Sequence, residues 1–267
     1  MKLNNFIETK EHRRFVEFCE ACRKYRYIGI CHGVTGVGKT MSAKTMASWY
    51  DVEPLLDSLR DERKIEAEIQ KNQLRTIYYN APSFGTSRIR KDIYNIGLRL
   101  QLLEEKIMIQ AGNDSFQLKT RLKEMVDLVI VDEVDRLKLP GIEVLRELFD
   151  DTDIGIVMIG MPRMQRKLSR YPQLYSRIGF SHEYKMLGKD ELHFILENRL
   201  KEISNYKGMG QFESYEAMRE LIRVTRGNFR ILDRMLAQIE RIMKINQLSS
   251  INKEVIDTAK SILVIGK

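Results

Sequence analysis

Apolar residues along this chain follow two different spacings, and the change from one to the other predicts strands separated by helices. Short runs of β-branched, aromatic and other apolar residues are typical of strands. Such runs lie at 27–31, 76–80, 128–131, 155–160 and 180–186. Leu128 to Val131 is apolar at every position, as expected of a central parallel strand that is covered on both faces.

Between these runs, apolar residues recur at steps of three and four, which is the spacing of one helix face. The clearest series is Ile89, Ile93, Ile96, Leu100 and Leu103. Residues 6–24 have a similar pattern, residues 116–125 start another helix, and residues 41–50 suit a helix because they contain no Gly or Pro. Strands and helices that alternate in this way are typical of an α/β fold with a parallel sheet.

The pattern changes after residue 187, where apolar helix faces follow one another without strands. One such face consists of Ile231, Leu232, Met235, Leu236, Ile239 and Ile242. We therefore predict an α/β domain at 1–187, including an N-terminal helical segment, and a small all-helical domain at 188–267.

Composition narrows the class of protein. The 267 residues are 43% hydrophobic and 31% charged, which is ordinary for a folded globular protein and argues against wholesale disorder. The net charge of +8 favours a polyanion such as nucleic acid among the partners. The longest apolar run, Ile154 to Met161, is too short to span a bilayer, and the first residues do not resemble a signal peptide. We therefore expect a cytoplasmic protein with no membrane partner.

The first candidate for chemistry is Gly33-Val34-Thr35-Gly36-Val37-Gly38-Lys39-Thr40, which has the phosphate-binding pattern G-x-x-x-x-G-K-T. It follows a predicted strand and precedes a predicted helix, and this setting distinguishes a phosphate-binding loop from a chance match. Its glycines let the backbone curl so that successive N–H groups point at one anion. Lys39 supplies a charge for the β- and γ-phosphates, and the Thr40 hydroxyl can hold Mg²⁺. The pattern predicts a nucleotide site.

We assign a run of consecutive residues to this site. They are Gly33, Val34, Thr35, Gly36, Val37, Gly38, Lys39, Thr40 and Met41. In ATPases with such a loop, the preceding segment often packs on the adenine side. Tyr25 or Tyr27 is therefore a candidate wall for the base, and a place in the core is the alternative.

A second landmark, Asp132-Glu133, follows the apolar strand 128–131 and completes a Walker B pattern with a second acidic residue. Asp132 is expected to hold Mg²⁺ through its waters, and Glu133 is expected to polarise the water that attacks the γ-phosphate. Each motif alone is moderately specific. Together, with a strand and a helix between them, they predict a site for an Mg²⁺-bound nucleoside triphosphate.

Two features after the strand 155–160 bear on hydrolysis. Many P-loop ATPases place Thr, Asn or Ser at the end of this strand to contact the γ-phosphate, whereas this chain has Met161, whose side chain donates no hydrogen bond. The next stretch carries basic residues with no acidic residue between them, namely Arg163, Arg166, Lys167, Arg170 and Arg177. That stretch is a solvated face, a nucleic-acid contact or the source of an arginine finger.

Taken together, these elements resemble an AAA+ ATPase over residues 16–262, with a P-loop domain followed by a helical lid. The segment 130–137, I-V-D-E-V-D-R-L, is similar to the D-E-x-D-R-L form of Walker B in transposition-regulator ATPases of the TniB, TnsC and MuB group. The segment 225–232, T-R-G-N-F-R-I-L, is similar to the G-N-x-R sensor 2 segment of that group.

The resemblance implies roles for two arginines besides Lys39 and Glu133. Arg230 would reach the γ-phosphate from the lid of the same subunit. Arg177 would act as an arginine finger toward a neighbouring subunit, with Arg170 as the reserve. ATP and Mg²⁺ would be the cofactors, and the departure at Met161 indicates slow hydrolysis.

The resemblance also implies an ATP-dependent regulator of DNA transposition. Such a protein would assemble on duplex DNA as a ring or a helical filament, pass target-site information to a transposase, and disassemble when ATP is hydrolysed. In this group DNA faces the region after the second strand, where the candidates for sequence-independent backbone contacts are Arg88, Arg90, Lys91, Lys119 and Arg121.

Two alternatives remain open. A replication initiator or helicase loader of the same fold would bind a replicative helicase instead of a transposase. A nucleotide-gated scaffold would bind ATP in order to coat DNA and would barely hydrolyse it, and Met161 favours this second alternative.

Overall fold

The computed structural model describes residues 6–57, 74–112, 117–207, 211–212, 215–248 and 250–263. The chain forms two compact units. The first contains His12–Gly33 and Lys39–Tyr184, and the second contains Phe6–Glu11, Val34–Gly38 and the residues from Lys185 onward. The first unit thus ends slightly before the predicted boundary at residue 187, and the middle of the phosphate-binding loop is grouped with the second unit. The predicted division at 187 stays a prediction.

A parallel sheet forms the centre of the first unit. Its strands are β1 (Ile28–His32), β2 (Thr76–Asn80), β3 (Leu128–Asp132), β4 (Gly155–Gly160) and β5 (Ile178–Glu183). They pair in the order β2-β3-β4-β1-β5, and every pairing is parallel. Every residue of β3 and β4 is buried, as the continuous apolar sequence of a central parallel strand requires. The predicted fold class is confirmed, and the carboxyl ends of β1, β3 and β4 lie at one edge of the sheet.

One helix precedes the first strand, and the others connect the strands. They are α1 (Lys10–Tyr25), α2 (Lys39–Met46), α3 (Trp49–Asp57), α4 (Ile89–Gln110), α5 (Leu122–Met125), α6 (Leu139–Thr152), α7 (Met164–Leu168) and α8 (Pro172–Tyr175). Close packing of α1 on β1 depends on Gly29, because a Cβ atom there would lie 2.3 Å from the Cys22 sulfur. Among the described residues, no helix is both long enough and apolar enough to cross a membrane.

Several elements of this unit differ from the sequence-based prediction. The pattern predicts none of α6, α7 and α8, and it places the last strand at 180–186 and the start of α5 at 116. The first turn of α6 contains a proline, which in a sequence usually indicates the end of a helix. At this position it costs no hydrogen bond, because the first N–H groups of a helix have no partner within the helix. Helices α7 and α8 have five and four residues, too few to give a periodic signal.

The second unit is mainly helical. Its elements are α9 (Lys189–Lys207), β6 (Gln211–Phe212), α10 (Tyr215–Thr225), α11 (Phe229–Ile245), β7 (Ser250–Ile251) and α12 (Lys253–Ile262). Its core includes Leu192, Leu196, Leu221, Leu232, Met235, Ile239 and Ile256, all buried. The prediction of an all-helical domain was wrong in one detail, since β6 and β7 form a parallel pair. Strands of two residues are too short to show a periodic pattern.

Candidate active site

The loop between β1 and α2 has the backbone geometry that phosphate binding requires. Gly36 and Gly38 have φ angles of 82° and 110°, which residues with a Cβ atom rarely adopt. The loop begins at the carboxyl edge of the sheet and leads into the first turn of α2. Backbone N–H groups at the start of a helix lack partners within the helix and favour an anion.

Lys39 is the first residue of α2, and it is only 9% exposed. Its Nζ donates a hydrogen bond to the backbone carbonyl of Gly33 at 2.6 Å. The ammonium group therefore lies next to Gly33, the first residue of the phosphate-binding pattern. A fixed cation beside backbone N–H groups complements the charge of a phosphate.

Asp132 ends β3 and is 3% exposed. Its Oδ2 accepts hydrogen bonds from the Thr40 hydroxyl at 2.6 Å and from the Tyr78 hydroxyl at 3.0 Å, and its Oδ1 accepts one from the Glu133 N–H at 2.8 Å. The two predicted metal-binding residues, Thr40 and Asp132, are thus in direct contact. Hydroxyl and carboxylate oxygens are the ligands that Mg²⁺ prefers, so this pair fits that ion.

Tyr78 is a member of this cluster that the sequence analysis missed. It lies on β2, which pairs with β3, and burial raises its pKa, with a further rise from the charge of Asp132. The hydroxyl therefore keeps its proton and acts as a donor to Asp132. Recognising this contact from the sequence would have required the strand order, which the periodicity does not contain.

Glu133 adopts a left-handed backbone conformation with a φ angle of 57°. This conformation is uncommon for residues with a side chain, and strain of this kind often marks functional sites. The carboxylate of Glu133 forms an ion pair with Arg136. The predicted water-activating residue thus directly follows Asp132 in the chain, and its charge is matched by a neighbouring guanidinium group.

The end of β4 carries Met161, which is 37% exposed. Its backbone N–H donates to Oδ1 of Asp135 at 2.8 Å. Lys167 contacts the segment that contains Asp135, since its Nζ donates to the carbonyl oxygens of Asp135 at 3.1 Å and Leu137 at 2.6 Å. Lys167 is therefore engaged within the protein. The end of β4 offers a backbone donor that is already paired, and the Met161 side chain adds none.

The two arginines predicted to meet the γ-phosphate have different surroundings. The backbone N–H of Arg230, near the start of α11, donates to the carbonyl oxygen of Gly36 at 3.2 Å within the second unit. In the first unit, Arg177 Nε donates to Asp150 Oδ1 at 2.5 Å, and its guanidinium group also reaches the Gln173 carbonyl. The hydrogen bond from Arg177 lowers the pKa of Asp150. Arg170 is exposed. The structure thus brings Arg230 to the loop and holds Arg177 in an intramolecular pair.

The tyrosines considered for the adenine side occupy neither of the expected places. Tyr25 and Tyr27 are 55% and 45% exposed, so they do not belong to the core. Their rings stack on each other at 6.4 Å between centroids, and both lie against Phe180. Tyr27 directly precedes β1, whereas the phosphate-binding loop follows its other end. The structure therefore does not support a role for these rings at the nucleotide.

The five candidates for DNA contact fall into two groups. Lys119 forms an ion pair with Glu104 at 3.3 Å, and Arg90 forms one with Asp151 at 2.7 Å. Arg88, Lys91 and Arg121 are exposed. Within the part of the chain that the structure describes, these three side chains have no ion-pair partner.

A groove of about 660 Å³ brings several of these residues together. Its basic lining consists of Arg90, Lys91, Arg121 and Lys123. Tyr94 and the apolar side chains of Leu122 and Leu148 also line it, and Asp151 is its acidic member. Lys123 was missed in the sequence analysis, because a lysine on a short charged segment gives no signal of its own.

A family model described as an AAA domain matches residues 22–168, which is more than half of the chain. The chain belongs to the AAA family of ATPases. It is 43% identical over 268 residues to a Staphylococcus aureus protein described as a potential ATP-binding protein, and the match covers 99% of this chain and 98% of that protein.

Two more distant relatives of this AAA ATPase have more specific names. The DNA transposition protein B of the Mu-like prophage FluMu, from Haemophilus influenzae, is 24% identical over 68% of this chain and 52% of its own length. The RuvB subunit of the Holliday junction branch migration complex, from Campylobacter fetus, is 25% identical over 78% of this chain and 63% of its own length. This chain thus spans about half of the first protein and less than two thirds of the second.

Solved structures show the same fold. The Thermotoga maritima RuvB branch migration motor has a TM-score of 0.59 at 17% identity, covering 99% of this chain and 72% of that chain. The Aeropyrum pernix ORC1 protein in complex with DNA has a TM-score of 0.60 at 16% identity, covering 96% of this chain and 66% of that chain. At this level of identity the likeness shows the fold alone.

As an AAA ATPase, the chain binds ATP and hydrolyses it to ADP and phosphate, with Mg²⁺ as the usual cofactor. Bound Mg²⁺ neutralises charge on the phosphates. The residues that we assign to holding it are Thr40 and Asp132, while Lys39 and the N–H groups of the loop would bind the phosphate oxygens. Glu133, adjacent to Asp132, is assigned to orient the attacking water and accept its proton. These residue roles stay predictions.

Proposed function

We propose that this AAA ATPase is an ATP-dependent, DNA-binding regulator of DNA transposition. It oligomerises on duplex DNA when ATP is bound, marks that DNA for a transposase, and leaves it after hydrolysis. The likeness to the FluMu transposition protein supports this function. So does the fold shared with ORC1, which was solved in complex with DNA.

The observation that carries the DNA-binding part is the basic groove of the first unit. Arg90, Lys91, Arg121 and Lys123 line it, and Asp151 neutralises only one of them. Side chains on separate elements thus place positive charge on one surface. Phosphate groups on a DNA backbone are spaced so that several cations of one protein can bind at once, which releases counterions and strengthens binding.

An exposed aromatic residue follows the second strand, in the region where the resemblance places DNA. Phe84 follows β2 and is 90% exposed, and the turn Thr86–Arg88 comes directly after it. An exposed Phe can serve as an apolar wedge, because side chains of this kind insert between the base steps of a duplex. We assign Phe84 to the DNA contact together with Arg88.

Subunit contacts belong to the same proposal. Arg177 acts as the arginine finger toward a neighbouring subunit, and Arg230 senses the γ-phosphate in its own subunit. For Arg177 this requires exchange of the Asp150 pair for a phosphate. The side chains of that pair are 31% and 29% exposed, and exposed ion pairs contribute only about 0.2–1 kcal/mol, so the exchange is feasible. The cytoplasmic location stays a prediction.

Duplex binding tests the proposal directly. Anisotropy of a labelled duplex of arbitrary sequence is measured with ADP, with a non-hydrolysable ATP analogue and without nucleotide, over a range of salt concentrations. Of the three conditions, only the ATP analogue should give tight binding to the duplex. A Lys39→Ala protein should lose this dependence on the ATP analogue. Since each phosphate contact contributes about 0.9 to the slope of log affinity against log salt, a Lys91→Ala/Arg121→Ala protein should lower that slope by about 1.8.

A matched control removes the same charge elsewhere. Arg241 and Lys244 are exposed on α11, so an Arg241→Ala/Lys244→Ala protein has the same net charge as the groove variant. It should bind DNA as the unchanged protein does. An equal loss of DNA affinity in both variants would mean that the groove acts only through the net charge of the protein. DNA binding that does not depend on ATP would refute the proposed function.

One alternative keeps specific support. Met161 lacks a side-chain donor at the end of β4, which favours an ATP-gated scaffold that coats DNA with little turnover. Single-turnover hydrolysis with and without DNA separates this scaffold from a true ATPase cycle. A replication initiator or helicase loader, which the likeness to ORC1 suggests, is distinguished by binding to a replicative helicase instead of a transposase.

A further inference from the structure

Asn228 makes more hydrogen bonds than a helix cap requires. It precedes α11, and its Oδ1 accepts from the N–H groups of Arg230 at 3.1 Å and Ile231 at 3.3 Å. This is the ordinary capping role of asparagine at a helix N-terminus. The same side chain also donates from Nδ2 to the carbonyl oxygen of Thr35 at 2.8 Å.

A second hydrogen bond joins the same two segments of the second unit. The Arg230 N–H donates to the carbonyl oxygen of Gly36 at 3.2 Å as well as to Asn228. The approach is close, because a Cβ atom on Gly36 would lie 2.4 Å from Asn228 Oδ1. Two successive carbonyl groups of the phosphate-binding loop are therefore held by Asn228, which caps α11, and by Arg230 in its first turn.

The planarity of the peptide bond gives these contacts a consequence. In a trans peptide the C=O of one residue and the N–H of the next point in opposite directions. When the carbonyls of Thr35 and Gly36 are turned toward α11, the N–H groups of Gly36 and Val37 must point away from it. Those N–H groups belong to the phosphate-binding pattern, in which backbone N–H groups bind the phosphate oxygens.

We propose that Asn228 is a positioning residue for nucleotide binding. Its amide nitrogen holds the Thr35 carbonyl, and its oxygen caps the Arg230 N–H that holds the Gly36 carbonyl, so the two contacts together orient the N–H groups of Gly36 and Val37. Asparagine suits this task because its amide offers a donor and an acceptor on one short side chain. Aspartate would keep the acceptor that caps α11 but would lose the donor to Thr35. The inference depends on ATP binding, which the family establishes, and not on the proposed role in transposition.

The same contacts make the coupling reciprocal. A phosphate that binds the N–H groups of Gly36 and Val37 fixes the carbonyls on the other side of the same peptides, and so fixes the start of α11, where Arg230 lies. Thermodynamic linkage requires that phosphate binding stabilises the ordered cap by the same factor by which the ordered cap strengthens phosphate binding.

Asn228→Asp is the informative change, and Asn252→Asp is its matched control. Asn252 caps α12 in the same unit by accepting from the Val255 N–H at 3.0 Å, and it makes no hydrogen bond to the loop. Because aspartate caps helices as well as asparagine does, both variants should keep the fold. Affinity for a fluorescent ATP analogue is measured by titration, without DNA.

We expect Asn228→Asp to weaken nucleotide binding about tenfold, which corresponds to about 1.4 kcal/mol, and Asn252→Asp to change it less than about twofold. Hydrogen exchange at saturating nucleotide, when the phosphate would hold these N–H groups, gives a readout that a purely structural cap would not move. The amides of Gly36 and Val37 should exchange faster in Asn228→Asp, while those in the middle of α11 stay protected as in the unchanged protein.

Two results would overturn the inference. One is nucleotide affinity in Asn228→Asp equal to that of Asn252→Asp. The other is unchanged exchange at Gly36 and Val37, even with weaker binding, because the effect would then come from charge and not from loop orientation. Either result leaves the duplex-binding experiment and its outcome untouched.

Discussion

Replacing Tyr78 with Phe removes one hydroxyl group and little else. Tyr78 is 6% exposed, and its ring contacts Trp49 at 6.2 Å between centroids and lies under Lys44 Nζ at 5.2 Å. Phenylalanine preserves both ring contacts. The change therefore isolates the hydrogen bond from the Tyr78 hydroxyl to Asp132.

The expected loss of stability follows from the partner's charge. Hydrogen bonds to charged groups contribute about 1.5–3 kcal/mol net, and the carboxylate keeps its bonds from Thr40 and Glu133, so we expect about 2 kcal/mol. For a protein of this size that free energy lowers Tm by roughly 4–8 °C. Burial and the charge of Asp132 raise the pKa of Tyr78 in the folded state. The hydroxyl therefore contributes fully below the unfolded pKa of about 10, and its contribution is lost as the pH rises through the folded pKa.

The functional effect is separable from the stability effect. Partners that hydrogen-bond to metal-binding groups orient them, and their removal typically costs about 10–100-fold in metal affinity or activity. We expect Tyr78→Phe to raise the Mg²⁺ concentration needed for half-maximal ATP turnover by about tenfold or more. Steady-state phosphate release at fixed ATP, titrated with Mg²⁺, measures this directly.

The neighbouring residue supplies the control. Tyr79 is also buried on β2, and its hydroxyl donates to Asp92 Oδ2 at 3.1 Å. Tyr79→Phe removes the same kind of bond from a carboxylate outside the site, so it should lower Tm similarly and leave the Mg²⁺ titration unchanged. The reasoning fails if the two variants shift the Mg²⁺ midpoint equally, or if Tyr78→Phe lowers Tm without moving that midpoint.

Two further variants test the assigned catalytic groups. Glu133→Gln should lower turnover by about 10²–10⁴-fold, because the amide cannot accept the proton of the attacking water. Its affinity for ATP, measured by titration, should stay within a few-fold of that of the unchanged protein. Turnover near the unchanged rate would show that Glu133 has no part in the mechanism. Arg177→Ala should lower turnover by about 10³-fold or more at protein concentrations that allow assembly. Asp150→Ala should not, because it breaks the ion pairs of Asp150 with Arg177 and Arg146 but keeps the Arg177 guanidinium group. Equal behaviour of the two variants would mean that the Arg177–Asp150 pair is only structural.

The parts of the site that could be predicted from sequence are those whose chemistry lies within a few consecutive residues. The loop at 33–40 and the pair Asp132-Glu133 belong to this class, since glycine spacing and a strand followed by acidic residues are local signals. That they form one site was also predicted, because the two motifs occur together with a strand and a helix between them. Even so, the direct contact between Thr40 and Asp132 spans 92 residues and required the folded chain.

What could not be predicted depends on strand order or on contacts between distant segments. Tyr78 meets Asp132 only because β2 pairs with β3, and Asn228 meets Thr35 across 193 residues. The basic residues show the same limit. Lys91 and Lys119 look alike in sequence, yet Lys119 forms an ion pair with Glu104 and Lys91 lines the groove. Net charge indicates a polyanion, but only the fold shows which cations are already paired.

Three features of the site together argue for slow basal hydrolysis. The carboxylate of Glu133 is paired with Arg136, Arg177 is paired with Asp150, and the end of β4 offers no side-chain donor. Under the roles that we propose for these residues, each feature lowers one contribution to γ-phosphate cleavage: water activation, charge neutralisation and phosphate positioning. A protein whose ATP-bound form holds DNA functions only while ATP remains intact. Slow cleavage within one subunit, accelerated when a neighbour or a partner redirects Arg177, is therefore the behaviour that the proposed function requires.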